Sequence, residues 1–135
     1  MAAMIGEIDL NKLLALMQPV LLEGEYVFCS SPSLVYGDLD ELQPIASYQE
    51  QEGLSLLLSK STADSAGLSY NSVFCGITLS VHSSLDAVGF TAAVANKLAS
   101  NGISANVIAA YSHDYVFVPA DKAKHALALL MEFES

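Results

Sequence analysis

Two short apolar motifs occur twice in this chain of 135 residues, in the same order. Val27-Phe28-Cys29 returns as Val73-Phe74-Cys75, and Ile45-Ala46-Ser47-Tyr48 returns as Ile108-Ala109-Ala110-Tyr111. Each copy of the second motif is followed by a turn, a strand-like run and a helical run. Because an internal repeat constrains the architecture more than any single element does, the chain is predicted to contain two units of one kind.

Each unit is predicted to run strand, helix, strand, strand, helix, although the first unit has only a remnant of its first helix. Strands are expected where apolar and polar residues alternate, and helices where apolar residues recur every three or four positions. The strongest strand signal is Val73 to His82, and Ser83 to Asp86 has the pattern of a capping box. The predicted strands are 25–30, 45–50, 54–59, 73–82, 105–111 and 115–118, and the predicted helices are 9–17, 61–66, 86–100 and 121–131.

This element order predicts an α+β fold in which each unit has the ferredoxin-like βαββαβ arrangement. A helix that joins two parallel strands crosses over in the right-handed sense, so the helices are expected on one face of an antiparallel sheet. Residues 1–68 are predicted to form an N-terminal unit with an extra leading helix, and residues 69–135 a C-terminal unit. Since a unit of about 50–60 residues buries little apolar surface alone, the two are expected to share a core or a sheet.

The charge of the chain limits its partners. Fifteen acidic residues against five basic ones give a net charge of −10. Such a surface repels phosphate backbones and anionic lipid heads, which argues against nucleic acid and membranes as partners. Hydrophobic residues make up 53% of the chain, yet no run approaches the roughly 18 apolar residues of a membrane span. We expect a cytoplasmic protein that buries apolar surface against a second copy as a homodimer.

No pattern in the sequence predicts catalysis, a metal site or a cofactor. The three histidines, His82, His113 and His125, have no metal-ligand spacing. Ser112-His113-Asp114 contains the residue types of a catalytic triad, but neighbours in a tight turn point in different directions, whereas a triad needs them aligned. The chain is therefore not predicted to be an enzyme.

The second half of the chain carries a family resemblance, strongest in residues 83–93 (SSLDAVGFTAA) and 101–108 (NGISANVI). The stretch Val73 to Pro119 resembles an ACT domain, and the stretch from Glu25 through Ser61 resembles the partner half in small bacterial proteins of two ACT-like units. The resemblance implies that a small molecule, usually an amino acid, binds at the loop between the first strand and the first helix. Many members have an Asp-x-Pro-Gly run there, whereas this chain has Asp86-Ala87-Val88-Gly89 without the proline.

The chemistry of this loop agrees with what the resemblance implies. Unpaired N–H groups and a partial positive charge at a helix N-terminus suit the carboxylate of an amino acid, and Asp86 or Asp114 would bind the ammonium group. The alternative is structural: Ser83 caps the helix, Asp86 favours its dipole and Gly89 allows close packing. The candidate ligand-binding residues are His82, Ser83, Ser84, Leu85, Asp86, Ala87, Val88, Gly89, Phe90, Asn106, Val107, Ile108, His113 and Asp114.

Two functions from different classes remain open. The first is a regulatory module that binds an amino acid or a similar small zwitterion and acts through ligand-sensitive contacts in a homodimer or with a regulated partner protein. The second is a protein–protein interaction module without a small ligand. A ligand that stabilises the purified protein would distinguish the two, because a ligand that binds the folded state raises its stability.

Overall fold

The computed structural model describes residues 9–80 and 89–134, and the chain divides into two compact units. The discontinuous unit contains residues 1–23 and 75–135, and the inserted unit contains residues 24–74. In chain order the described elements are α1 (Leu10–Leu16), β1 (Val20–Leu21), β2 (Tyr26–Ser31), β3 (Ala46–Glu50), β4 (Gly53–Ser59), α2 (Lys60–Ala66), β5 (Phe74–Leu79), α3 (Phe90–Ala99), β6 (Asn106–Ala109), β7 (Asp114–Pro119) and α4 (Ala123–Met131). The chain thus leaves the discontinuous unit after β1 and returns to it within β5.

The discontinuous unit has the predicted βαββαβ plan, with its last strand supplied by the N-terminal segment. Strand β5 is followed by α3, β6, β7 and α4. Strand β1 pairs antiparallel with β5 on the side away from β7. The resulting strand order is β1-β5-β7-β6. The α+β, ferredoxin-like fold predicted from the sequence is therefore confirmed.

Strand β7 lies between β5 and β6, and its direction determines which strand ends lie next to each other. It runs antiparallel to β6, with Asn106 opposite Phe117 and Ala109 opposite Asp114. The connection through α3 is a crossover, which makes β5 and β6 parallel and therefore β7 antiparallel to both. Consequently the C-terminal end of β5, at Leu79, and the N-terminal end of β7, at Asp114, lie at the same end of the sheet.

Both α3 and α4 pack on one face of this sheet and close its core, and α1 adds two fully buried side chains. Val116 and Val118 contribute from β7, whereas the ring of Phe117 lies on the opposite face against Gly76, where an added Cβ would be only 2.7 Å from it. The buried residues of this core are Leu13, Met17, Ile77, Leu79, Phe90, Val94, Leu98, Ile103, Val116, Val118, Ala123, Ala126, Leu129 and Leu130.

The inserted unit is a smaller version of the same plan. Strands β2 and β3 each pair antiparallel with β4, in the order β3-β4-β2. Between β2 and β3 the chain forms a loop with a single 3₁₀ turn at Asp40–Leu42, and α2 follows β4 with Ser59 as its N-cap. The buried residues of this second core are Val27, Cys29, Leu54, Leu56, Leu58 and Ala63.

The structure corrects the predicted start of α3. The described helix begins at Phe90, and its N-cap is Gly89 with a φ of +95°. A residue with this φ cannot belong to a right-handed helix, so the predicted helix over 86–100 is interrupted at Gly89, and its residues 86–88 lie outside the described residues. The buried residues of α3 are Phe90, Val94 and Leu98, whereas Ala92 is exposed.

The predicted boundary between residues 68 and 69 differs from the division that the structure shows. Helix α1 and strand β1, which the sequence assigned to the N-terminal unit, belong to the discontinuous unit. Leu13 and Met17 are fully buried in its core, and β1 pairs with Thr78 and Ile77 of β5. A two-residue strand carries no alternation pattern, and for that reason the sequence did not predict β1.

Candidate ligand site

The predicted ligand site spans the segment between β5 and α3 together with the β6–β7 hairpin. His82, Ser83, Ser84, Leu85, Asp86, Ala87 and Val88 lie outside the described residues. The structure places the remaining seven, which are Gly89, Phe90, Asn106, Val107, Ile108, His113 and Asp114. These seven do not share one side of the sheet.

Gly89 sets the direction in which the chain enters α3. Its φ of +95° and ψ of −13° are in the left-handed region, and its carbonyl oxygen accepts a hydrogen bond from the N–H of Ala93 at 2.9 Å. An added Cβ would be 3.4 Å from Leu10 Cδ2, so the backbone conformation, rather than a lack of space, is what favours glycine here. Because glycine has no side chain, this N-cap leaves the first N–H groups of α3 without a cap from the residue itself.

Phe90 follows Gly89 and turns its side chain into the core. The ring is only 4% exposed and packs with Val94 and Leu98 of the same helix face. Because its side chain is buried, Phe90 can contact a ligand only through its backbone N–H.

The three predicted residues of β6 divide between the two faces of the sheet. Val107 is opposite Val116 and packs against the helix-covered core. Asn106 and Ile108 are on the other face, since successive side chains of a strand alternate, and Asn106 Nδ2 donates a hydrogen bond to the carbonyl oxygen of Phe117 at 3.2 Å. Only Val107 therefore lies on the side from which α3 approaches.

Asp114 is the one charged side chain that is buried among the described residues, with 8% of it exposed. It begins β7 opposite Ala109 and shares its face with Val116 and Val118, so it lies on the helix-covered side of the sheet. This is also the edge at which β5 ends. Burial raises the pKa of the Asp114 carboxyl above its usual range, because desolvation penalises the charged form.

His113 diverges from Asp114, as expected for neighbours at the start of a strand. Its carbonyl oxygen accepts a hydrogen bond from the N–H of Ala110 at 3.1 Å, which closes the β6–β7 turn. Its exposed ring lies 6.3 Å from the ring of Tyr115, centroid to centroid, and Tyr115 is on the face opposite to Asp114. The side chains of His113 and Asp114 therefore cannot act together as a base and an acid.

The inserted unit has a small cavity at the corresponding end of its own sheet, which the sequence did not predict. It has a volume of about 30 Å³, enough for about one water molecule but not for an amino acid. Burial raises the pKa of the Cys29 thiol in its wall, which fits a buried apolar cysteine, whereas Cys75 is half-buried. The lining residues are Cys29, Ser30, Ser31, Leu34, Leu39, Leu54, Leu56, Leu68 and Ser69.

Two further features concern residues 9–80 and 89–134. No three of the His, Cys, Asp and Glu residues in this part of the chain are grouped so that they could hold a metal ion. No helix in the same part is both long enough and apolar enough to cross a bilayer.

Comparison with protein families identifies the class. Residues 5–75 match one ACT-domain model, and residues 72–132 match another. The first match alone covers more than half of the chain, and the chain belongs to the ACT-domain family. ACT domains are regulatory rather than catalytic domains, and this chain has the architecture of a ligand-binding regulatory module.

Several solved structures have a similar fold. A Vibrio cholerae protein of unknown function, described as a possible transport protein, is 50% identical, with 93% of this chain and 96% of that chain covered and a TM-score of 0.85. An Agrobacterium tumefaciens protein is 16% identical over 86% of this chain and 87% of that one, with a TM-score of 0.70. The regulatory subunit of aspartate kinase from Thermus thermophilus, in a ligand-free form, is 12% identical over 87% and 97% of the two chains, with a TM-score of 0.64.

These comparisons differ in what they contribute. The two structures below 25% identity show the shared fold and nothing further. No curated protein matches the chain. The two ACT matches are consecutive and meet at residues 72–75, whereas the compact units of the structure interleave, because the N-terminal segment joins the second of them.

Proposed function

We propose that the discontinuous unit binds an amino acid, or a similar small zwitterion, at the end of its sheet where β5 stops and where α3 and β7 begin. Binding would regulate contacts with a second copy of the chain or with a partner protein. The observation that carries the proposal is the position of Asp114, a residue only 8% exposed, on the helix-covered side of this end of the sheet.

A buried carboxyl is costly unless it is paired or protonated. The two ion pairs of the described residues, Lys60–Asp64 and Lys97–Glu132, do not involve Asp114. Desolvation raises the pKa of Asp114, and the ammonium group of a zwitterion beside this carboxyl would favour its charged form and lower that pKa again. A carboxylate at this position therefore favours a ligand with a positively charged end.

The other end of a zwitterion needs hydrogen-bond donors. The first turn of α3 supplies backbone N–H groups and a partial positive charge, and Gly89 does not block them with a side chain. Family membership points to the same end of the unit, since ACT domains bind small molecules near the first strand and helix. An amino acid has both charged ends on one carbon atom and fits this pairing of a carboxyl with a helix N-terminus.

The test is a thermal-shift screen of the full chain against the twenty amino acids, with molecular mass measured in parallel. One amino acid, or a few of similar chemistry, is expected to raise the Tm in a dose-dependent way that follows mass action. Asp114→Asn should remove the rise because it cannot pair with an ammonium group, whereas the exposed control Asp121→Asn should keep it. A screen without any shift, or a shift that Asp114→Asn leaves unchanged, would contradict the proposal.

The second candidate function is a protein–protein interaction module that needs no small ligand. The observation in its favour is the exposed edge of the inserted unit, whose side chains are described in the next subsection. A stable protein that responds to no amino acid but binds a partner protein would favour this function over the first.

A further inference from the structure

Strand β3 is an edge strand with an open side. Within the described residues it pairs only with β4, and every residue from Ser47 to Glu50 is exposed. In an antiparallel ladder alternate residues direct their N–H and C=O groups away from the paired strand. The outer side of β3 therefore presents backbone donors and acceptors with which a further strand can pair.

Several of the features that usually protect an edge strand are missing from β3, although Glu50 is charged and Tyr36 of the preceding loop contacts Gln49. Proteins discourage pairing at sheet edges with lysine, proline, bulges or very short strands. The five residues of β3 include neither lysine nor proline, and its register with β4 continues without a bulge from Ala46 opposite Leu57 to Glu50 opposite Gly53. This edge is built as a regular strand that can accept another.

Two exposed tyrosines lie on either side of this strand. Tyr48 is 74% exposed and shares its face with Glu50, whose carboxylate accepts a hydrogen bond from the Ser55 hydroxyl. Tyr36 is 78% exposed and is anchored near the other face, because its backbone N–H donates to Gln49 Oε1. A tyrosine ring beside a fixed carboxylate is a favourable environment for a lysine or arginine side chain.

The charge around β3 has one sign. The segment from Ser31 to Ser59 contains no lysine, arginine or histidine, and Lys60 at its end is already paired with Asp64 at 3.0 Å. A second copy of this chain, with its own net charge of −10, would bring like charges together if the two β3 edges met, whereas a basic segment would be attracted. The acidic residues of the segment are Asp38, Asp40, Glu41, Glu50 and Glu52.

We propose that the open edge of β3, with Tyr48 and Glu50 on one face and Tyr36 beside the other, binds an extended basic segment of a partner protein by strand addition. Backbone hydrogen bonds to β3 provide affinity, and the tyrosines and carboxylates select lysine or arginine at alternate positions. This surface belongs to the inserted unit, and its function does not depend on amino-acid binding by the discontinuous unit.

The test is selection of binders from a randomised library of ten-residue peptides displayed on phage, with the full chain immobilised. The selected peptides are expected to have a net positive charge and basic residues at every second position. Binding of a selected peptide should weaken between 50 and 300 mM NaCl, since salt screens exposed charges. Hydrogen exchange should show new protection of backbone amides in β3 when the peptide is bound.

Substitutions in β3 test whether this strand is the surface that binds the selected peptides. Tyr48→Ser is expected to weaken a selected basic peptide roughly two- to fivefold, the range of an exposed cation–π contact, and the double variant with Glu50→Lys should lose binding further. Tyr111→Ser is the matched control, because Tyr111 is 71% exposed in the other unit, and it should bind as the unchanged chain does. Circular dichroism and thermal unfolding establish that each variant is folded.

Three outcomes would overturn the proposal. The first is a set of selected peptides without net positive charge. The second is binding of a selected peptide to the double variant as tight as to the unchanged chain. The third is the conversion of a dimer of the free protein into a monomer by the double variant. The last outcome would show that a second copy occupies β3. A flat amino-acid screen would contradict only the proposed ligand site and would leave this surface unaffected.

Discussion

The buried carboxyl of Asp114 makes the stability of the protein depend on pH. Its pKa is raised by desolvation, so the folded protein holds this proton more tightly than the unfolded chain does. Asp114 therefore adds stability below the unfolded-state pKa, about 3.9, and this contribution is lost as the pH rises through the raised value. Replacing the carboxyl with a neutral amide should remove this loss.

Asp114→Asn is accordingly expected to raise the free energy of unfolding at pH 7 and to change it little at pH 3, as measured by urea unfolding. Asp121→Asn removes an exposed carboxylate of the same unit and should have little effect at either pH. A lower stability of Asp114→Asn at pH 7 would mean that the carboxylate is satisfied by a partner in the folded protein.

Gly89 contributes through its backbone. With a φ of +95°, Gly89→Ala is expected to lower the free energy of unfolding by about 1 kcal/mol, since an alanine avoids this region. Gly89→Asn should cost less because asparagine tolerates left-handed conformations better. Equal stability of the alanine variant and the unchanged chain in urea unfolding would show that the chain at residue 89 can take another path.

At the scale of the elements, the structure shows which side of α3 faces the core. Phe90 belongs to the buried stripe, whereas its neighbour Thr91 is exposed. Phe90→Ala is expected to cost about 3–5 kcal/mol of unfolding free energy through lost burial and a cavity, and Thr91→Ala should cost little. Similar losses for both variants in chemical denaturation would contradict this orientation of the helix.

Other elements follow closely from local sequence. The helix predicted over 9–17 is observed as α1, and Asp9 caps it by accepting a hydrogen bond from the N–H of Lys12 at 3.2 Å. The helix predicted over 121–131 is observed as α4 from Ala123 to Met131. Both helices have a strong apolar periodicity. In α1 this periodicity agrees with a capping side chain at the start, whereas α4 begins without a side-chain cap. Agreement between periodicity and a start signal is the condition under which sequence patterns are most reliable.

For the whole molecule, the interleaved division of the chain predicts which fragments can fold. The fragment 69–135 lacks α1 and β1, so it lacks Leu13 and Met17 of its own core and the strand that covers one side of β5. We expect this fragment to be unfolded, with little protection from hydrogen exchange.

A rearranged chain provides the matched comparison. Residues 75–135, followed by a short Gly/Ser linker and residues 1–23, restore every element of the discontinuous unit, and α1 already contacts the turn Glu132–Glu134 near the C-terminus. This chain is expected to unfold cooperatively in urea. If fragment 69–135 folds as well as the rearranged chain, the N-terminal segment is not an integral part of the unit.

The sequence alone determined most of the elements, their order and the ACT resemblance, because periodicity, capping and turn residues act over a few neighbouring positions. It also identified Asp114 and Gly89 as candidates, through the hairpin and the helix start. Tertiary structure alone decided that β1 completes the second unit and that Asp114 and Val107 lie on the helix-covered side of the sheet. The physical reason is that strand pairing and burial join residues distant in sequence, and a two-residue strand or a buried carboxylate has no local pattern that reveals them.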